Sequence, residues 1–187
     1  MPIRPFVFPV LAGAALAACM TDDVPVAPEP VESAALPAST EDGAVAYTQL
    51  KGPDGTPHGR AVLTQTGTAI AVDIQVQDIP PGKHGIHIHE TGLCDAPDFK
   101  SAGGHWNPTN EPHPRHKGGF GNIVVAMDGT ATLQATMSDA TLSGVGNNLL
   151  LDADGAALIV HADADDLQSQ PSGNAGARIA CGVISSE

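Results

Sequence analysis

The sequence predicts an all-β domain, a sandwich or flattened barrel of about eight short strands. Three observations lead there. From Gly43 onward, short β-like runs alternate with turn residues. Asp-Gly pairs stand between such runs at Asp128-Gly129 and Asp154-Gly155. That dipeptide is a strong hairpin signal, because the tight turn needs positive φ. No segment carries an amphipathic helical period of useful length. The 21 glycines and 16 prolines point the same way, towards turns rather than long helices.

The chain opens on an export signal. Residues 1–18 hold one base, Arg4, an apolar run from Phe6, and small residues from Ala14 to Ala18. The run is too short to span a bilayer as a helix. Leu16-Ala17-Ala18-Cys19 resembles the lipobox of bacterial lipoproteins, which implies a lipidated Cys19 as the first mature residue. Met20, a non-acidic neighbour, favours the outer membrane. Residues 19–42 form an acidic, Pro/Ala-rich tether; from Met20 on they hold four prolines, six acids and no base. No hydrophobic period survives there, so disorder is expected. The domain occupies 43–187.

Within the domain, Ala44 to Leu50 forms a first β-run, closed by Gly52-Pro53-Asp54-Gly55. Gly59 to Thr66 is the second. Ala69 to Val76 alternates, with Ile70, Val72, Ile74 and Val76 on one side. Ile79-Pro80-Pro81-Gly82 breaks the chain before a strand through His87. Asn122 to Ala126 and Thr130 to Met137 flank one Asp-Gly; Leu149 to Leu151 and Ala156 to Ala162 flank the other. Ala180 to Ile184 is the last run. Two segments, 90–121 and 163–179, are too long to be plain turns, and long loops in compact domains are usually functional.

The first long loop and the strand before it concentrate histidine. Six of the eight histidines lie between His84 and Asn122. His87 and His89 are two apart, so on a strand both imidazoles share one face and Ile86 and Ile88 take the other. Taken alone the pair could be the polar face of an edge strand. His84 and His58 read as solvated or structural. Paired imidazoles with more histidines in the next loop suit copper or zinc.

The formal net charge is −13, which argues against a nucleic-acid partner. From Gly43 on, 15 acids face 7 bases, a net of −8, so an anionic substrate would need a local cation. The three cysteines, Cys19, Cys94 and Cys181, suggest one pair and one left over.

The run from Gly85 to Asn122, with Leu158-Ile159-Val160-His161 and Gly173 to Ile184, resembles the copper/zinc superoxide dismutases, nearest to their bacterial periplasmic branch. The matching motifs are HxH, HETGxC, SAGGHxNP and GNAGxRxACGVI, over roughly residues 44–184. The resemblance implies an eight-stranded Greek-key β-barrel. It implies copper held by His87, His89, His105 and His161, with superoxide as substrate and dioxygen and hydrogen peroxide as products. Arg178 matches the active-site arginine that attracts the anion. Asp165 matches an aspartate tying copper and zinc histidines together. Cys94 and Cys181 match an intradomain disulfide, which an exported chain can keep.

For zinc the match is incomplete. The resemblance implies His105 as a bridge, then His113 and His116, then an aspartate. Gly119 stands at the aspartate position, Pro114 lies in a shortened segment, and Lys117 brings positive charge to a cation site. Glu111 or a water could fill the gap. A structural zinc site wants four ligands, so the expectation is copper with weak, partial or no zinc. The leading expectation is thus a lipid-anchored periplasmic superoxide dismutase that touches the membrane only through its anchor. The alternative is a copper-sequestering lipoprotein on the same fold.

Overall fold

The computed structural model describes residues 42–144 and 148–186. The export signal, Cys19 and nearly all of the tether lie outside them. The described residues form eight strands: β1 Val45–Lys51, β2 Pro57–Thr66, β3 Ala69–Val76, β4 Gly82–His89, β5 Gly119–Val125, β6 Ala131–Ser138, β7 Ala156–His161 and β8 Arg178–Ser186. A three-residue 3-10 turn, Lys100–Ala102, is the one helical element among them.

The strands form a single antiparallel sheet in the order β5-β4-β7-β8-β1-β2-β3-β6. It curls into a nearly closed barrel with β5 and β6 at its two edges. The β3–β4 and β6–β7 connections cross between the halves, so β3 lies beside β6 and β4 beside β7, as in a Greek key.

Alternation decides what faces inward. β3 buries Ile70, Val72, Ile74 and Val76, the face its sequence predicts. They join Leu50, Leu63, Ile86, Ile88, Leu158 and Val160 in the main core. Burying such a side chain fully contributes roughly 1.5–3 kcal/mol. β7 is buried at every position, because both its faces are covered. Ala156, Leu158 and Val160 point into the barrel, while Ala157 and Ile159 join Phe99, Ala102 and Cys181 in a second cluster. The first long loop therefore packs on the outer wall of β7. Cys94 and Cys181 are disulfide-bonded, Cα to Cα 5.7 Å, which fastens this loop to β8.

Two hairpin expectations are corrected. Asp128-Gly129 does turn the chain, with Ala126 N–H donating to the Thr130 carbonyl at 2.9 Å. β5 and β6 then diverge to pair with β4 and β3. Gly129 has φ 81°, while Asp128 is not among the positive-φ residues, so the two-residue mirror-image turn does not form. Barrel curvature overrides the local signal. Leu149 to Leu151 is not a strand either; Leu149 makes a single bridge to Thr141. The second Asp-Gly belongs to a side-chain-capped turn, in which Asp152 Oδ1 accepts from Asp154 N–H (3.0 Å) and Gly155 N–H (3.1 Å).

Candidate metal centre

Ile86 and Ile88 fill the barrel, so His87 and His89 face outward. In the β4–β7 ladder His87 pairs with Ile159 and His89 with Ala157. Stepping by two along β7 from Ala157 and Ile159 reaches His161 on that outer face. A bulge at Val160/His161 then pairs His161 with Arg178 of β8. The first long loop returns over this wall and is bridged back to it, His89 to His105. His87, His89 and His161 are at most 5% exposed; His105 and Arg178 are part-exposed, so the centre opens on their side.

Hydrogen bonds orient each ring. His87 Nε2–H donates to Asp165 Oδ2 at 2.7 Å, and His89 Nδ1–H donates to the Gly103 carbonyl at 3.0 Å. His161 Nδ1–H donates to the Gly176 carbonyl at 3.4 Å. A neutral imidazole carries one N–H, so the opposite nitrogens bear lone pairs. These are His87 Nδ1, His89 Nε2 and His161 Nε2, and His105 Nε2 joins them. His89 Nε2 and His161 Nε2 are 3.4 Å apart. His87 Nδ1 and His105 Nε2 are buried without a partner. Lone pairs converging in a dry pocket are unfavourable unless a cation lies between them. The four residues offer ligand atoms all within 4.8 Å of one another. This donor set fits copper.

A second group shares His105. His105 Nδ1 and His113 Nδ1 each lie 2.9 Å from His116 Nε2. His113 Nε2–H donates to Asp165 Oδ1 at 2.9 Å, so one carboxylate holds a histidine of each group. The structure thus brings together every histidine expected of the two sites, plus Asp165.

The electrostatics favour neutral ligands. Burial, then the neighbouring His161, pushes His87 down to about 4. Burial pushes His161 down to about 4 and His89 down to about 3. His105 is lowered by burial and by His87, and His116 by burial and by His113. Burial opposes charge on Asp165, but the Leu167 N–H, His87 and His113 together hold its carboxyl below the usual range. The rings are therefore unprotonated at neutral pH, as coordination requires.

Arg178 sits beside this wall. Its Nη1 donates to the Phe99 carbonyl and its Nη2 to the Gly103 carbonyl, both at 2.6 Å. The Gly103 carbonyl thus orients His89 and Arg178 at once. Burial lowers the Arg178 pKa somewhat, but its cation persists because guanidinium does not deprotonate in proteins.

Several supporting residues escape a reading by sequence. Asn122 Nδ2 donates to the Asp165 carbonyl at 2.9 Å and Asn122 Oδ1 accepts from Asp165 N–H at 2.7 Å. Gln170 clamps His113 in the same two-way manner, at 2.7 and 2.9 Å. A Cβ on Gly173 would collide with Asp165 Oδ1, so that glycine makes room for the carboxylate. His84 is structural rather than solvated, its ring nitrogens each 2.8 Å from a carbonyl oxygen, of His161 and of Pro80. Lys117 does not intrude on the second group; Nζ donates to the Ser138 carbonyl at 3.0 Å, away from the histidines. Lys117 stands in the turn before β5, and its ammonium is drawn to the end of β6, with Asp139 4.0 Å away.

These features define a β-barrel metalloprotein with two histidine groups joined through one imidazole and an arginine clasped alongside. The chain belongs to the copper/zinc superoxide dismutase family, whose profile matches residues 57–184, more than half of it. It is 39% identical over 143 residues to the Superoxide dismutase [Cu-Zn] of Caulobacter vibrioides, covering 72% of this chain and 82% of that one. To Superoxide dismutase [Cu-Zn] 1 of Aquifex aeolicus it is 40% identical over 137 residues, 70% and 81% of the two chains. Among solved structures, a SOD-like protein from Bacillus subtilis matches with TM-score 0.69 and 34% identity, over 79% of this chain and 99% of that one.

Proposed function

We propose that this chain is a periplasmic superoxide dismutase, tethered to the membrane through a lipid on Cys19. The observation that carries the activity is the convergence of four imidazole nitrogens beside a clasped arginine. His87, His89, His105 and His161 are the copper ligands. Bound there, copper would supply a one-electron couple, through which two superoxide ions and two protons would become one dioxygen and one hydrogen peroxide. The protein does the rest. Asp165 and the Gly103 and Gly176 carbonyls hold the ligand rings in register. Arg178 gives the anion a local positive target inside an acidic molecule, and its two carbonyl contacts keep it aimed. The second group, His105, His113 and His116, is the zinc position.

Location rests on the lipobox-like Leu16-Ala17-Ala18-Cys19 and on the Cys94–Cys181 disulfide, which suits an oxidising compartment. The outer membrane is preferred, since Met20 is not acidic.

The deciding measurement is copper content and dismutase activity on one sample, with mass spectrometry of the mature N-terminus. About one copper per chain with activity is expected, on a lipidated Cys19. Tight copper without dismutation would leave a copper-carrying protein, and an unmodified Cys19 would remove the anchor.

A further inference from the structure

The two carbonyls that hold Arg178 come from one short element. They belong to Phe99 and Gly103, the residues on either side of the 3-10 turn Lys100–Ala102. Both have left-handed backbones, with φ 54° at Phe99 and 73° at Gly103. Glycine adopts that region freely, whereas a residue with a Cβ does so at a cost.

Phe99 is therefore the residue that needs a reason. Six non-glycine residues have positive φ among the described residues. Four of them are Asp or Asn, whose short polar side chains tolerate the conformation. The other two are Leu167, which is 48% exposed, and Phe99, which is 3% exposed. Phe99 alone among them is both bulky and buried. Its side chain lies in the cluster with Ala102, Ala157, Ile159 and Cys181. Ala157 and Ile159 are the ladder partners of His89 and His87, so Phe99 is anchored on the wall that carries those two histidines. Its carbonyl accepts twice, from Arg178 Nη1 at 2.6 Å and from the Ala102 N–H at 3.2 Å.

We propose that Phe99 is a positioning residue for Arg178: its buried ring pins a left-handed backbone, and that backbone turns the carbonyl to the guanidinium. Burial of the ring offsets the unfavourable conformation, so a smaller side chain would let the residue leave it. The Gly103 carbonyl alone would then hold Arg178, and the guanidinium could swing on a single hydrogen bond. The inference rests on the reading that Arg178 draws the anion towards copper.

The test uses the full copper-loaded chain and azide, a small monoanion that binds Cu(II) and is followed by its charge-transfer absorption. Phe99→Ala should weaken azide binding about three- to tenfold. The Cu(II) electron paramagnetic resonance spectrum without azide should stay as in the parent, because the four histidines keep their places. In an Arg178→Ala background the same substitution should change azide affinity by less than about twofold, since nothing is left to position. Phe99→Gly, which tolerates the left-handed backbone but lacks the ring, should lose less than Phe99→Ala.

Parental azide affinity in Phe99→Ala overturns the proposal. Equal losses with and without Arg178, or an altered resonance spectrum, also overturn it, because the ring would then support the loop or the ligands in general. An alanine variant no weaker than the glycine variant overturns it too, since the left-handed backbone would not matter. If Arg178→Ala alone leaves azide affinity unchanged, the role of Arg178 fails and takes this inference with it. A loss there without one at Phe99 sinks this inference alone. Should Phe99→Ala hold no copper, Phe99→Gly in the same two backgrounds decides: a loss that requires Arg178 supports the proposal, and any other pattern overturns it.

Discussion

Gly103 does more at the residue scale than its size suggests. One carbonyl oxygen accepts from His89 Nδ1 and from Arg178 Nη2, so a metal-facing ring and a cation share one anchor. A Cβ on this residue would meet Glu90 Cγ at 2.8 Å, and its φ is 73°, so only glycine serves there without strain. Removing the cation tests the electrostatic role. Arg178→Ala should keep its copper, lower turnover on the order of tenfold or more, and weaken the dependence of rate on ionic strength. Stopped-flow decay of superoxide across a salt series measures this; unchanged kinetics would remove Arg178 from the mechanism.

At the element scale, β4 and β7 are two-faced. Each sends aliphatic side chains into the barrel and places histidine on the outer wall, where the first long loop covers it. That loop has a small apolar cluster beneath it and one covalent tie, Cys94–Cys181, spanning 87 residues. Closing a loop of that length restricts the unfolded chain, which sets an upper limit of about 4–5 kcal/mol on its contribution. Cys94→Ser with Cys181→Ser should lower stability in chemical denaturation by up to that amount. No change in midpoint would mean that packing alone holds the loop. The β4 faces are legible in the sequence because a period of two is unambiguous when Ile and His alternate. The divergence of β5 and β6 is not, because a turn signal says where the chain reverses and not which neighbours its strands find. Leu149 to Leu151 misleads for a similar reason: a short apolar run beside Asp-Gly reads as a strand, yet Leu150 is buried without a ladder.

For the whole molecule, a domain with 15 acids and 7 bases hosts a centre meant for an anion, and Arg178 supplies local charge of the opposite sign. The histidine cluster also couples the fold to pH. In the metal-free protein, burial and its neighbours hold His87 and His161 at about 4, and burial above all holds His89 at about 3, against 6.5 when unfolded. The unfolded chain therefore binds more protons in this window. Stability is fully present above pH 6.5 and is lost as pH falls through the folded values. Thermal unfolding of the metal-free protein should show its midpoint dropping between pH 6.5 and 4, before most carboxylates titrate. A flat midpoint from pH 7 to 5 would show that the cluster is not neutral in the fold. Bound metal should move the decline to lower pH, since protons must then compete with the ion.

The sequence by itself determined the strand faces, the all-β class and the set of histidines, since side-chain alternation and motif spacing are properties of the local chain. Only the tertiary structure decided which nitrogen of each ring looks inward, that Asn122 and Gln170 clamp Asp165 and His113, and that Lys117 turns away from the histidines. Those outcomes depend on carbonyls, amides and glycines contributed by strands and loops distant along the chain, and no local pattern encodes the meeting of groups that only the closed barrel brings within hydrogen-bond reach.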